Sequence, residues 1–308
     1  MRPPRPSRAA RVALGVALGV ALGVATSAAG GQRPAPADTA PLLLRPARVW
    51  TGDGAPHPGW AVLVRGARIA AVGPAASVQV PPNARVRDLP NATLVPGLID
   101  AHAHVLLHPY DEAPWDDQVL REPLALRVAR ATNHLRATLA AGFTTLRDLG
   151  TEGAGDADVG LKRAVEQRVG PGPRLLVATR AIVATGSYGP KGFDPRWEVP
   201  QGAEEADGGD ALVRAVRGQI GRGADVVKLY ADYRWGPNGE ARPTFSEAEL
   251  RLAVETAASS GRPVAVHAST AEGMRRAALA GVQTVEHGDD GTPEVFRLMA
   301  ARGVALCP

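Results

Sequence analysis

Cysteine is almost missing from this 308-residue sequence: Cys307 is the only one. A single thiol forms no internal disulfide, so stability must come from the core or from bound metal. A charge excess is missing as well. The formal charge is +4, and the first 29 residues hold four arginines and no acid, so removing them leaves none. The sequence pI near 9.6 therefore implies no nucleic-acid partner. No glycine-rich fingerprint opens a first helix, and no glycine-lysine-serine ending follows the glycine-rich stretch at 184–193, so a phosphate cradle is not indicated.

The N-terminus stands apart. Arg2, Arg5, Arg8 and Arg11 precede an apolar run from Val12 to Ala25, and Ser27, Ala28 and Ala29 suit a signal peptidase. Residues 1–29 read as a secretory signal peptide, with an uncleaved membrane anchor as the alternative. The run is short for a bilayer span, no cysteine follows it, and no arginine pair precedes it. The expectation is a secreted or periplasmic protein with no stable membrane insertion after leader removal. Residues 30–41, rich in Pro, Ala and polar residues, read as a linker.

Residues 42–92 read as a small β domain of short strands and turns, among them Trp60 to Val64 and Arg68 to Gly73. From residue 93 to 308 strands alternate with helical stretches. Strands are expected at Leu94 to His104, Phe143 to Leu146, Arg174 to Ala178, Asp225 to Tyr230, Pro263 to His267, Val282 to His287 and Val304 to Leu306. Ser246, with Glu249 three residues on, has the pattern of a capping box. Repeated β–α units of this length place helices outside a parallel sheet. The expected fold class is α/β, a (β/α)8 TIM barrel, incomplete with about seven strands, behind a small N-terminal β-sandwich-type domain. A doubly wound open sheet is the alternative.

Five side chains carry the chemistry. His102 and His104 are two apart at one strand end, so both face one side. His267, His287 and Lys228 each stand at the end of a later strand, on the face where barrels of this kind place their active sites. Two or more imidazoles suit Zn²⁺ or a similar divalent ion. A lysine at an inward barrel position is costly as an ammonium; as a neutral amine it can react with CO₂ to give a carbamate, an anionic oxygen ligand. Its alternative is a structural lysine paired with Asp225 or Asp232. Tyr230, two residues after Lys228, should face the same side and reach a substrate carboxylate or an oxyanion; a core aromatic is the alternative. Arg147 and Asp148 either line the mouth or form an ion pair. Tyr188 lies in a glycine-rich loop that reads as a wall over the site, and Tyr188, Tyr230 and Arg147 are the substrate-binding candidates. His57 and His134 read as surface residues and His108 as a rim residue.

The run Leu94-Val-Pro-Gly-Leu-Ile-Asp-Ala-His-Ala-His104 resembles the first-strand signature of the amidohydrolase superfamily. Lys228-Leu-Tyr230 and Val285-Glu-His-Gly288 resemble its imidazolonepropionase-like and Xaa-Pro dipeptidase-like branch. The resemblance runs from about residue 42 to 308, and it implies that the small β domain is completed by strands after the barrel. It further implies two divalent metal ions, zinc favoured, with His102 and His104 on one, His267 and His287 on the other, and carboxylated Lys228 bridging. Imidazolonepropionases resemble a mononuclear version without the lysine. The implied activity is hydrolysis of C–N bonds in small amides, dipeptides or N-acyl amino acids; a cyclic-amide hydrolase and a non-catalytic metal-binding barrel are the alternatives. The family pattern also has an Asp ending an eighth strand as general base. The expectation is that the chain stops short of that strand, so that no residue here takes the role; Asp289 and Asp290 follow His287 too closely. The partner is thus a small-molecule amide or dipeptide, with no nucleic acid, and self-association is left open.

Overall fold

The computed structural model describes residues 40–194 and 196–308. The expected signal peptide, and the expected linker up to residue 39, lie outside the described residues. No described helix is long and apolar enough to cross a membrane. The described chain divides into two compact units, meeting in sequence at Leu94 and Val95.

The first unit holds strands β1 (Leu42–Val49), β2 (His57–Pro58), β3 (Trp60–Arg65), β4 (Arg68–Pro74) and β5 (Arg85–Leu94). They form one five-stranded sheet in the order β2-β1-β3-β4, with β5 paired parallel to β1. Arg65-Gly66-Ala67 makes the tight β3–β4 turn that the turn residues predict. Leu43, Ala61 and Leu63 form a small core, while Ile69, Val72 and Val86 stay exposed. A single sheet thus stands where a sandwich is expected. Leu94 closes β5 opposite Val49 instead of opening the next strand.

The second unit alternates strand and helix. In chain order it runs β6 (Leu98–Ala103), α1 (Trp115–Leu120), α2 (Leu124–Ala140), β7 (Phe143–Asp148), α3 (Ala157–Glu166), β8 (Arg174–Val177), β9 (Ile182–Val183), β10 (Glu204–Glu205) and α4 (Gly208–Arg222). It continues with β11 (Val227–Tyr230), β12 (Asp232–Arg234), β13 (Ala241–Pro243), α5 (Glu247–Ala258), β14 (Val264–Thr270), α6 (Ala271–Ala280), β15 (Thr284–Asp290), α7 (Pro293–Arg302) and β16 (Ala305–Cys307). Two parallel sheets result, β6-β7-β8 and β10-β9-β11-β14-β15-β16, together with a small antiparallel sheet, β12-β13. The expected third strand is β8, and a further short strand, β9, follows it, with Thr179 at φ 61° between the two. The Asp225 N–H bonds Val177 O at 2.7 Å, carrying backbone pairing from β8 toward β11. No ladder joins β16 to β6 among the described residues, so the strands do not close into a barrel.

The units start and stop where local chemistry says they should. Ser246 and Glu249 form the full capping box ahead of α5, satisfying N–H groups that the first turn leaves open. Thr270 and Thr292 cap α6 and α7 through their hydroxyls. Gly303 ends α7 in the left-handed conformation, which costs glycine nothing. The inner faces of the helices pack on β11, β14 and β15 around Leu212, Val216, Leu229, Phe245, Leu250, Val266 and Met274. That core holds the C-terminal strand ends in place.

Candidate metal centre

Three strand ends bring four imidazoles together. His102 and His104 come from β6 and the residue after it, His267 from β14 and His287 from β15. Ring centroids are 5.2 Å apart for His102–His104, 4.9 Å for His102–His287 and 4.7 Å for His267–His287. Two irregularities in the ladders aim these side chains. Asp100 and Ala103 of β6 pair with Leu146 and Asp148 of β7, an extra residue on the β6 side around His102. Ala268 and Thr270 of β14 pair with His287 and Asp290, an extra residue on β15. Bulges of this kind redirect side chains beside active sites. His287 itself holds φ 76°, an uncommon backbone for a residue with a Cβ.

Lys228 lies under the histidines on β11, only 1% exposed. Its ammonium stands 5.5 Å from the Tyr230 ring centroid, so the two side chains share a side as the spacing predicts. The acids weighed as its structural partners are engaged elsewhere. Asp225 accepts from Lys162 at 2.7 Å, and Asp232 accepts from the backbone N–H groups of Ser269 and Thr270 at 2.9 and 2.7 Å. Burial pushes the lysine down to about 8. Burial likewise drives His102 down to about 4 and His267 to about 2, and it lowers His287. These imidazoles are therefore neutral near pH 7, the form that binds metal.

Neighbouring groups fix the rings. His104 Nδ1 faces the Gly150 carbonyl at 2.9 Å; a carbonyl only accepts, so Nδ1 carries the proton and Nε2 keeps its lone pair. Glu286, fully buried, places Oε2 at 3.1 Å from His102 Nδ1 and Oε1 at 2.8 Å from Arg147. The rings meet face and edge, and among the described residues no three His, Cys, Asp or Glu side chains converge closely enough to define a metal site. The donor chemistry nonetheless fits a borderline divalent cation, since desolvated neutral imidazoles beside a buried amine form a set selective for such ions.

The remaining candidates are placed as follows. Arg147 crosses the interior, donating to Ala101 O, Thr284 and Glu286 at 2.6, 3.1 and 2.8 Å. Its guanidinium is committed to protein groups, and its ion-pair partner is Glu286 rather than the adjacent acid. Asp148 is fully buried, away from the mouth, and burial raises it well above the usual carboxylate range. His108 is buried rather than at the rim, its ring nitrogens 2.9 Å from Glu112 and 3.0 Å from Glu122. His57 stacks on Trp60 at 3.9 Å, and His134 stays half-exposed. Tyr230 stacks on His267 at 4.7 Å and meets Tyr188 edge-on at 5.0 Å. Beside the rings opens a cavity of about 430 Å³ lined by Tyr233, Arg234, His267, Ser269, His287 and Asp289, among others.

Sequence reasoning misses Glu152. It follows β7, is 3% exposed, and accepts from Trp115 Nε1 at 3.0 Å and Tyr188 Oη at 2.5 Å. Its other oxygen lies 3.4 Å from Tyr230 Oη and 3.8 Å from His104 Nδ1. A single acid among glycines carries no local mark of burial. Its one sequence signal is its place just past a strand's C-terminal end.

An α/β chain of parallel strands with histidines and a buried lysine at their C-terminal ends defines a class, and comparison with known proteins agrees. The amidohydrolase family pattern matches residues 93–308. The ochratoxinase of Aspergillus niger is 29% identical over 276 residues, covering 82% of this chain and 55% of that protein. The imidazolonepropionase of Symbiobacterium thermophilum is 31% identical over 285 residues, covering 83% and 63%. A crystal structure of a prolidase complexed with N-methylphosphonate-L-proline superposes with a TM-score of 0.75 at 30% identity, covering 87% of this chain and 66% of that one. The chain spans a little over half the length of the ochratoxinase and about two thirds of the other two. The chain belongs to the amidohydrolase family, with its TIM-barrel-like α/β fold.

Proposed function

We propose that this chain carries the metal-holding part of a hydrolase that cleaves C–N bonds of small amides or dipeptides. The observation that carries the reading is the meeting of His102, His104, His267 and His287 at three strand ends above a buried lysine. The names of the relatives, an ochratoxinase, an imidazolonepropionase and a prolidase, support amide substrates. In this reading His102 and His104 hold one divalent ion and His267 and His287 a second, with zinc the first candidate. Bound divalent metal supplies Lewis acidity and acidifies water.

The chain's own residues do the rest. Lys228, brought near 8 by burial, is partly a neutral amine at pH 7–8; its nitrogen adds to CO₂, loses a proton and becomes a carbamate able to bridge. Glu286 orients His102, and the Gly150 carbonyl orients His104. Tyr230, stacked on His267, places its hydroxyl beside the site for a substrate oxygen. The leader expected over residues 1–29 places this activity outside the cytoplasm. The test is reconstitution with Zn²⁺, Mn²⁺ or Fe²⁺ in bicarbonate, followed by metal analysis and a panel of Xaa-Pro dipeptides, N-acyl amino acids and imidazolonepropionate. Two bound ions per chain are expected, and the absence of bound metal sinks the reading.

A further inference from the structure

The sequence has only four tyrosines, and three of them touch one another beside the histidines. Tyr188 meets Tyr230 at 5.0 Å and Tyr233 at 4.9 Å, and Tyr230 meets Tyr233 at 5.7 Å. Trp115 joins them, edge-on to Tyr188 at 5.2 Å. These rings surround Glu152. Its carboxylate accepts hydrogen bonds from Trp115 and Tyr188, all from neutral donors. Among the described residues no Arg or Lys nitrogen lies within ion-pair distance of it, and the one basic group that close is His104 at 3.8 Å. That nitrogen is already given to Gly150. Arg127 and Lys228 feel the charge from farther away, and Arg127 donates to the carbonyls of Leu106 and Thr151.

A buried carboxylate without a cationic partner is costly. The neighbouring aromatic rings also attract cations. Both features suit one kind of guest, a compact cation. The carboxylate also stands beside His104, so a cation bound there is within a few bonds of an amide carbonyl held at the imidazoles. We propose that Glu152, walled by Tyr188, Tyr230, Tyr233 and Trp115, is the subsite for a protonated amine of the substrate. The chain then selects free-amine dipeptides or amino-acid amides over N-acylated compounds. This rests on the hydrolase reading above and decides between the two substrate kinds left open there.

The test is calorimetric binding of L-alanyl-L-proline and N-acetyl-L-alanyl-L-proline to the full chain. Wild type binds the free amine about thirtyfold more tightly, the scale of a desolvated cation–π contact joined to a charge-assisted hydrogen bond. Glu152→Gln keeps the shape and still accepts from Trp115 and Tyr188, and it abolishes the preference. Tyr188→Phe keeps both ring and charge and retains it. Equal binding of the two probes by wild type, binding of neither at millimolar concentration, or a preference surviving in Glu152→Gln overturns the proposal. If Glu152→Gln does not fold, the wild-type ratio decides alone. A thirtyfold ratio without bound metal in any metal condition sinks the hydrolase reading and leaves the subsite standing; bound metal without the ratio does the reverse.

Discussion

β6 and β11 both deliver candidate ligands, yet they are opposite kinds of strand. All four residues of β11 are buried, and it pairs with β9 on one side and β14 on the other. β6 has no fully buried residue and pairs only with β7 among the described strands. Leu229 is 0% exposed and Ile99 is 68% exposed. Lys228 is thus held by a rigid, dry wall that sets its chemistry through desolvation. His102 and His104 are held by polar handles, namely Glu286 and the Gly150 carbonyl. The same site draws one ligand from packing and two from hydrogen bonding.

The sharpest way to break this contrast is Lys228→Met. If the lysine bridges metal, bound metal measured with bicarbonate present falls by more than about 100-fold, beyond the loss typical of outer-shell partners. Unchanged occupancy would move the centre to the histidines alone. Packing comes next: Leu229→Ala should cost about 2–5 kcal/mol by urea denaturation, as cavity-forming changes in dry cores do.

The buried ammonium gives a third handle. Lys228 is lowered from 10.5 to about 8 in the fold, so between those values the unfolded chain binds more protons and stability rises with pH. The cost of burying the ammonium is present in full below pH 8. It is relieved toward pH 10.5 by roughly 3 kcal/mol. Without added metal or bicarbonate, wild type should gain stability relative to Lys228→Met from pH 7 to 10; parallel curves would mean the lysine is not desolvated. The smallest effect belongs to the open strand, where Ile99→Ala should stay within about 0.5 kcal/mol.

How much of this was legible in the sequence follows from the same contrast. Most helices of the second unit, though not the short α1, and most of its strands could be read, because signals such as the Ser246–Glu249 capping box, and apolar runs such as Val264 to Val266, act locally. The histidines and Lys228 could be read because strand ends of repeated β–α units share one face. Glu152 could not, nor could the Arg147–Glu286 pair, because a polar side chain's burial is decided by residues far away in sequence. The same reason hides His108, whose neighbours Glu112 and Glu122 enclose it only once the segment before α2 folds back. The single sheet of the first unit was likewise not legible, since alternation along a strand marks an inward face without saying what covers it.

The left-handed backbone at His287 has an evolutionary consequence. Glycine would occupy φ 76° more comfortably than histidine, and strain of this sort costs on the order of 1 kcal/mol or more. Drift toward thermostability alone would therefore erase the imidazole at this position. A histidine that persists there across related sequences is being retained against a standing selective pull, and a glycine there would mark a lineage that has given up the centre while keeping the fold.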